Sequence, residues 1–116
     1  MLIDKKEMLD NAFGMWSSAL FSDIGGYNPH LSFLEQKQQF FILLKELLDD
    51  GKIKFCTPNE IWSEDNDIWN ADSGEIVGYI ESKWPALAQS ESDLSDYFYE
   101  IPALLWVDEK GNLVGS

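Results

Sequence analysis

Residues 30–49 constrain the fold most, because their apolar side chains recur every three or four positions. This spacing predicts a helix with one broad hydrophobic face, which must be buried against other elements. Two starts are open for this helix, Asn28-Pro29 and the capping-box pattern Ser32-x-x-Glu35, and the glycine after the last apolar position ends it. The apolar positions are Phe33, Leu34, Phe40, Phe41, Leu43, Leu44, Leu47 and Leu48.

Two more helical patterns lie on either side of this segment. A capping-box pattern that begins at Asp4 opens a helix predicted over residues 5–20, and the pair Gly25-Gly26 is expected to end it. A third helix is predicted over residues 73–83, with Asp72 as its N-cap and a proline shortly after its end. The chain therefore supplies about three helices.

The strand signals are concentrated after the central helix and at the end of the chain. Alternating side chains over residues 53–57 predict a strand, and residues 89–96 have the composition of a polar loop. The chain from residue 97 is expected to form a strand, an interruption at Pro102 and a hairpin over residues 103–115. The fold class predicted from these patterns is α+β, with helices packed on a small antiparallel β-sheet.

Length and composition predict one domain that spans residues 1–116. Hydrophobic residues make up 45% of the chain, which is enough for a core despite a net charge of −13. No apolar run approaches a membrane span, and the first residues lack a signal-peptide core, so a cytoplasmic protein is expected. The single cysteine, Cys56, excludes an internal disulfide and is expected to be a buried thiol.

The charge pattern bears on the kind of partner. The chain has no arginine, and only Lys83 and Lys110 carry positive charge after residue 55. Such a field repels phosphates, so nucleic acids, nucleotides and anionic membranes are disfavoured as partners. A cationic protein surface is favoured, because complementary fields accelerate encounter and suppress wrong partners. The alternative is that the acidity serves solubility alone.

The segment 63–75, SEDNDIWNADSGE, carries five acids around one tryptophan and no base. We interpret it as a docking face for a basic protein, with Trp69 as the buried anchor. The alternative for Trp69 and for the nearby Trp62 is that the rings fold back onto the core. The predicted partner-binding residues are Glu64, Asp65, Asp67, Trp69, Asp72, Glu91, Asp93 and Asp96.

The other three tryptophans lie on apolar stripes or in a predicted strand. Trp16 falls on the apolar face of the first predicted helix, and Trp84 falls on that of the third. Trp106 belongs to the strand pattern of the C-terminal hairpin. Core packing is therefore the expected role of these three side chains.

Motifs for metal binding and catalysis fail in this sequence. An EF-hand frame that starts at Asp65 meets Trp69 and Asn70 where an oxygen ligand and a glycine are needed, although a weak carboxylate site for a divalent cation stays open. One histidine and one cysteine are too few for a zinc site. The triplet Asp72-Ser73-Gly74 imitates an aspartic protease, but a helix pattern follows it directly. We expect no enzymatic activity, no cofactor and no metal.

Three stretches of the chain resemble a family of small acidic bacterial proteins of unknown function: KELLDDGKIKF, GEIVGYIESKWP and YFYEIPALLWVDEKGNLVGS. That family includes immunity partners in contact-dependent growth inhibition. The resemblance implies a cytoplasmic protein that binds and neutralises the C-terminal toxin domain of a secreted exoprotein, and it implies no catalytic residues. Many such toxins are nucleases with basic clefts, which an acidic protein can plug. The alternatives are a non-catalytic regulatory or housekeeping binding module and a small metal-assisted hydrolase.

Overall fold

The computed structural model describes residues 2–58 and 68–115 and shows an α+β fold. Its three strands form one antiparallel sheet in the order β1-β2-β3. The described ranges contain five α-helices where the sequence predicts about three. The elements are α1 (Lys5–Ala12), α2 (Ser17–Tyr27), α3 (Phe33–Asp49), β1 (Ile53–Phe55), α4 (Ser73–Ser82), a 3₁₀ helix (Glu91–Leu94), α5 (Ser95–Glu100), β2 (Leu104–Val107) and β3 (Leu113–Val114).

Helix α3 is the central element of the fold, as its apolar periodicity predicts. It begins with the second of the two predicted caps, because Ser32 Oγ accepts the Glu35 N–H at 3.2 Å and Glu35 Oε1 accepts the Ser32 N–H at 3.0 Å. Phe40 and Leu44 are completely buried on its inner face. Leu34 is exposed, because it lies on the opposite side of the helix.

The sheet completes the core on the other side of α3. Ile53 pairs with Trp106 and Phe55 pairs with Leu104, and these four side chains are buried. Trp106 also pairs with Val114 on β3, so the predicted strand and the predicted hairpin are both confirmed. The alternate residues of β1 and β2 are more exposed than these four, as expected for a sheet with one face on the core.

The turn between β2 and β3 forms as its composition predicts. Gly111 has φ of 83°, the left-handed conformation that glycine adopts without steric cost. Asp108 Oδ1 accepts the backbone N–H groups of Lys110 at 2.9 Å and Asn112 at 2.8 Å. These hydrogen bonds, led by that from Asn112, lower the pKa of the Asp108 carboxyl.

The prediction of one helix over residues 5–20 is wrong, because the chain breaks into α1 and α2. Gly14, between them, has φ of 80°, and a Cβ at this position would lie 3.4 Å from Val114 Cγ1. The indole Nε1 of Trp106 donates a hydrogen bond of 3.0 Å to the carbonyl of Met15. The break is thus stabilised by contacts with β2 and β3, which the periodicity of the first segment does not report.

The predicted start of the first helix is confirmed, because α1 begins at Lys5 directly after Asp4, whereas the predicted stop at Gly25-Gly26 is wrong. Gly25 and Gly26 lie inside α2 and do not end it. Gly25 instead permits close approach to α3, since its Cβ would lie 2.7 Å from the amide nitrogen of Gln36, which donates to the Phe21 carbonyl. Asp4 precedes α1 with φ of 51°, and its side chain makes no capping hydrogen bond.

Residues 91–100 are helical, so the predicted polar loop and the predicted start of a strand are wrong here. The signal for this helix is the three- and four-residue spacing of the buried residues Leu94, Tyr97 and Ile101. The Tyr97 hydroxyl donates to the Ile80 carbonyl at 2.7 Å. Burial, with a smaller contribution from the charge of Glu81, raises the pKa of Tyr97.

The expected core tryptophans divide into three cases. Trp106 is buried and Trp84 is half-buried, with its ring 5.7 Å from that of Phe41 and also in contact with other core aromatics. Trp16 contradicts the prediction, because 46% of its surface is exposed.

Cys56 is buried, as expected. In the part of the chain that is described, no helix has the length and hydrophobicity that a membrane crossing requires.

Candidate protein-interaction surface

The predicted docking segment is only partly described. Glu64, Asp65 and Asp67, and with them Trp62, lie outside the described residues. The chain is described again from Ile68, which forms an isolated antiparallel bridge with Cys56 at the end of β1. The end of the segment is therefore attached to the sheet, close to the core.

Trp69 packs on the core from a half-buried position. Its ring lies 5.4 Å from that of Tyr79 in an edge-to-face arrangement, which aromatic quadrupoles favour. Its backbone N–H donates to the carbonyl of Phe55 at 2.8 Å. These contacts agree with the alternative in which the ring folds back on the core, and they leave part of the indole accessible.

Asp72 and Asp49 hold the start of α4 against the end of α3. Asp72 Oδ1 accepts the Glu75 N–H at 2.8 Å, so Asp72 is the predicted N-cap. Asp49 accepts hydrogen bonds from the hydroxyl of Ser73 and, at 3.0 Å, from Nζ of Lys45. These bonds, that from Ser73 first, lower the pKa of Asp49. The negative charge at the end of α3 thus has a structural partner.

A groove of about 530 Å³ lies between these helix ends and β1. Leu48, Lys54, Trp69 and Ile76 contribute to its walls. The two carboxylates that line the groove, Asp49 and Asp72, already accept the hydrogen bonds described above. Lys54 adds a positive charge to the wall of the groove. Within the described ranges, no three His, Cys, Asp or Glu side chains converge as a metal site requires.

Glu91, Asp93 and Asp96 lie on a different part of the molecule from Asp72. Glu91 Oε2 accepts a 2.8 Å hydrogen bond from Ser22 on α2, whereas Asp72 is next to the C-terminal end of α3. Asp93 Oδ2 accepts the backbone N–H groups of Gln89 and Ser90, directly before the 3₁₀ helix, and Asp96 is exposed on α5. The structure therefore does not bring the described members of the predicted site together on one face.

The structure has an exposed aromatic pair that the sequence patterns do not predict. The rings of Trp16 and Tyr99 meet edge to face with centroids 5.7 Å apart, yet 46% and 76% of these residues are exposed. Phe13 and Met15, in the turn between α1 and α2, are also exposed. The chain from residue 97 is predicted as a strand, and that prediction does not indicate the pair. The helical spacing around Tyr97 would instead place Tyr99 on the outer side of α5.

Two acids accompany this pair on the short helix α5. Asp96 is one helical turn before both Tyr99 and Glu100, at spacings of three and four residues, so these side chains are neighbours on the helix surface. All three residues are exposed. We call Trp16, Tyr99, Asp96 and Glu100 the acidic aromatic surface.

Ion pairs are few in the described ranges. Lys5 pairs with Glu46, and Lys45 pairs with Asp49 at 3.0 Å. Both pairs involve α3, and residues 68–115 contain none. The acids of the second half of the described chain therefore interact with solvent and with hydrogen-bond donors of the fold, not with its lysines.

Comparison with known proteins identifies the fold but no family. No family model and no curated protein matches this sequence. A solved structure of an uncharacterized protein conserved in bacteria, from Neisseria meningitidis, superimposes with a TM-score of 0.67. The match covers 93% of this chain and 83% of that chain at 24% sequence identity. The two proteins are similar in fold, and this level of identity supports nothing beyond the fold.

Proposed function

We propose that this protein is a non-catalytic inhibitor that binds a basic protein, as an immunity protein binds and neutralises its toxin domain. The observation that carries the proposal is the unpaired negative charge on the second half of the chain. Residues 68–115 contain nine acids and two lysines but no ion pair. A carboxylate that stays hydrated and unpaired costs the fold little free energy, and it attracts fixed lysines and arginines on a partner.

The resemblance to small acidic bacterial proteins points in the same direction. If the partner is a nuclease, its substrate cleft is basic, and an acidic protein without arginine complements that cleft. The whole chain carries a net charge of −13, which disfavours nucleic acid itself as a partner. The proposed mechanism is therefore obstruction of a basic cleft by an acidic surface, without a chemical step.

The proposal is tested with the product of the adjacent upstream gene. Its C-terminal domain is expressed in bacteria alone and together with this protein, and growth is recorded. We expect the domain to arrest growth, coexpression to restore growth, and the purified pair to form a complex that weakens with salt. A harmless or acidic neighbour, or failure to form a complex, would contradict the proposal. A complex that leaves growth arrested would indicate a regulatory binding module instead.

A further inference from the structure

The Trp16–Tyr99 pair differs from the other exposed apolar residues because its two rings are in contact. Single exposed apolar side chains are ordinary, and Leu87, which is 90% exposed, is an example. A contiguous apolar area is more informative, since such areas on soluble domains often mark interaction sites. Phe13 and Met15, within three residues of Trp16 in the sequence, are exposed as well.

The two rings also lack the internal cations that other aromatic rings of this protein have. Nζ of Lys37 lies 5.2 Å from the ring centre of Trp84, and Nζ of Lys83 lies 5.3 Å from that of Tyr79. Both distances are within the range of a cation–π contact. Within the described ranges, no lysine takes such a position over the Trp16–Tyr99 pair.

The acids beside the pair are unfavourable for the helix that carries them. Asp96 and Glu100 are like charges four residues apart, which repel each other on a helix surface. Glu100 is the last residue of α5, at the end where negative charge is disfavoured. No lysine or arginine occurs between Lys83 and Lys110 to compensate them along the chain. A cationic partner would remove this repulsion.

We infer that the acidic aromatic surface is the docking site for an arginine-rich segment of the basic partner. A guanidinium group stacks on an aromatic ring and forms paired hydrogen bonds with a carboxylate, which are the two kinds of group exposed here. The inference rests on the proposed function, because it names where that binding takes place and with which side chains. It moves the predicted anchor from Trp69 to Trp16 and Tyr99.

The surface is held in place before any partner binds. The turn that carries Trp16 is tied to β2 by the hydrogen bond from the Trp106 indole to the Met15 carbonyl, 3.0 Å long. Helix α5 is fixed by the buried Tyr97, whose hydroxyl bonds to α4 at 2.7 Å. A surface that is already ordered loses little conformational entropy on binding.

The experiment titrates a nona-arginine peptide into ¹⁵N-labelled protein and follows backbone and indole N–H resonances by NMR. We expect saturable shifts centred on Trp16 and on residues 96–100. Tyr99→Ala should weaken binding about tenfold or more, as expected for an aromatic anchor, while Leu87→Ala leaves it unchanged. Thermal unfolding checks that both variants remain folded.

A charge-matched comparison separates the site from the general field of the protein. The double variant Asp96→Asn/Glu100→Gln removes two acids from the surface, and Asp50→Asn/Glu109→Gln removes two exposed acids elsewhere. We expect the first to weaken peptide binding more than the second and to flatten its salt dependence further.

The outcomes distinguish this inference from the proposed function. Shifts spread evenly over all acidic regions, or equal effects of the two double variants, would overturn the docking site. The growth assay would then still support inhibition of a basic toxin through another face. Absence of peptide binding would also overturn the inference, because an arginine-rich segment is its defining ligand. Loss of growth rescue in Tyr99→Ala, with rescue kept in Leu87→Ala, would support the inference and the proposed function together.

Discussion

Trp16 and Trp69 lie in opposite environments in this fold. Trp16 follows an apolar helical spacing but is 46% exposed, whereas Trp69 stands among acids but packs on the core next to Tyr79. The difference arises from what each ring meets in space. Trp69 remains a predicted partner residue through its accessible part, and Trp16 becomes the stronger candidate through its contact with Tyr99.

Asp49 should contribute to the pH dependence of stability. Its hydrogen bonds from Ser73 and Lys45 favour the carboxylate and lower its pKa in the folded state. Its contribution is therefore present above the unfolded pKa of about 4 and is lost as the pH falls through the lower folded value. We expect Asp49→Asn to be less stable than the wild type near neutral pH and to lose less stability on acidification.

Urea unfolding at several pH values measures this difference. Asp50→Asn is the control, since the neighbouring Asp50 side chain makes no hydrogen bond in the described part of the structure. Parallel pH profiles for Asp49→Asn and the wild type would show that the bonds of Asp49 do not stabilise the fold.

Among the helices, local signals succeed where a cap and an apolar face coincide. Helix α3 has both, in the capping box at Ser32 and in its buried face, and it forms as predicted. The sequence pattern at Asp4 resembles that at Ser32, but Asp4 adopts a left-handed conformation and its side chain makes no capping hydrogen bond. Helix α1 still begins at the predicted position, Lys5, so the pattern locates the helix start although the side chain of Asp4 does not cap it.

The break between α1 and α2 leads to a prediction for glycine variants. Gly14→Ala should lower the free energy of unfolding by about 1 kcal/mol or more, since φ of 80° is strained for alanine and Val114 is close. Gly26→Ala should be neutral or stabilise by up to about 1 kcal/mol, because Gly26 lies in a helix with open space at its Cβ position. Urea unfolding of both variants measures the effects. A stabilising Gly14→Ala would indicate a continuous helix.

For the molecule as a whole, the charge imbalance opposes the compact state. The chain of 116 residues carries eight basic and twenty-one acidic residues, and the described ranges hold only two ion pairs. The hydrophobic core that joins α3, the sheet and α4 must therefore outweigh a net repulsion. Such a charge distribution is useful to a binding protein, because a basic partner relieves the same repulsion.

This repulsion predicts that salt stabilises the protein. Raising sodium chloride from about 0.01 M to about 1 M shortens the Debye length from about 30 Å to about 3 Å, which screens the acids from one another. We expect the free energy of unfolding, measured with urea, to increase over this range. Sucrose at matched osmolality is the control for a general exclusion effect. A decrease with salt would mean that attractive pairs outweigh repulsion.

The elements that could be predicted are those whose causes lie within a few residues of one another. The capped α3, the N-cap Asp72 of α4 and the turn at Gly111 belong to this class, because short-range hydrogen bonds and periodicity specify them. The acidity likewise follows from composition, and it is the basis of the proposal that the partner is cationic.

The acidic aromatic surface depends instead on contacts between distant parts of the chain. Trp106 donates to the carbonyl of Met15, ninety-one positions earlier, and so stabilises the break that turns Trp16 outward. Tyr97 anchors α5 to α4, which places Tyr99 against Trp16. Neither the hydrogen bond between Trp106 and Met15 nor the attachment of Tyr97 to α4 can be identified from the residue spacing within one segment. Which aromatic residues face solvent was decided by tertiary packing, because burial is a property of the assembled neighbours and not of the local sequence.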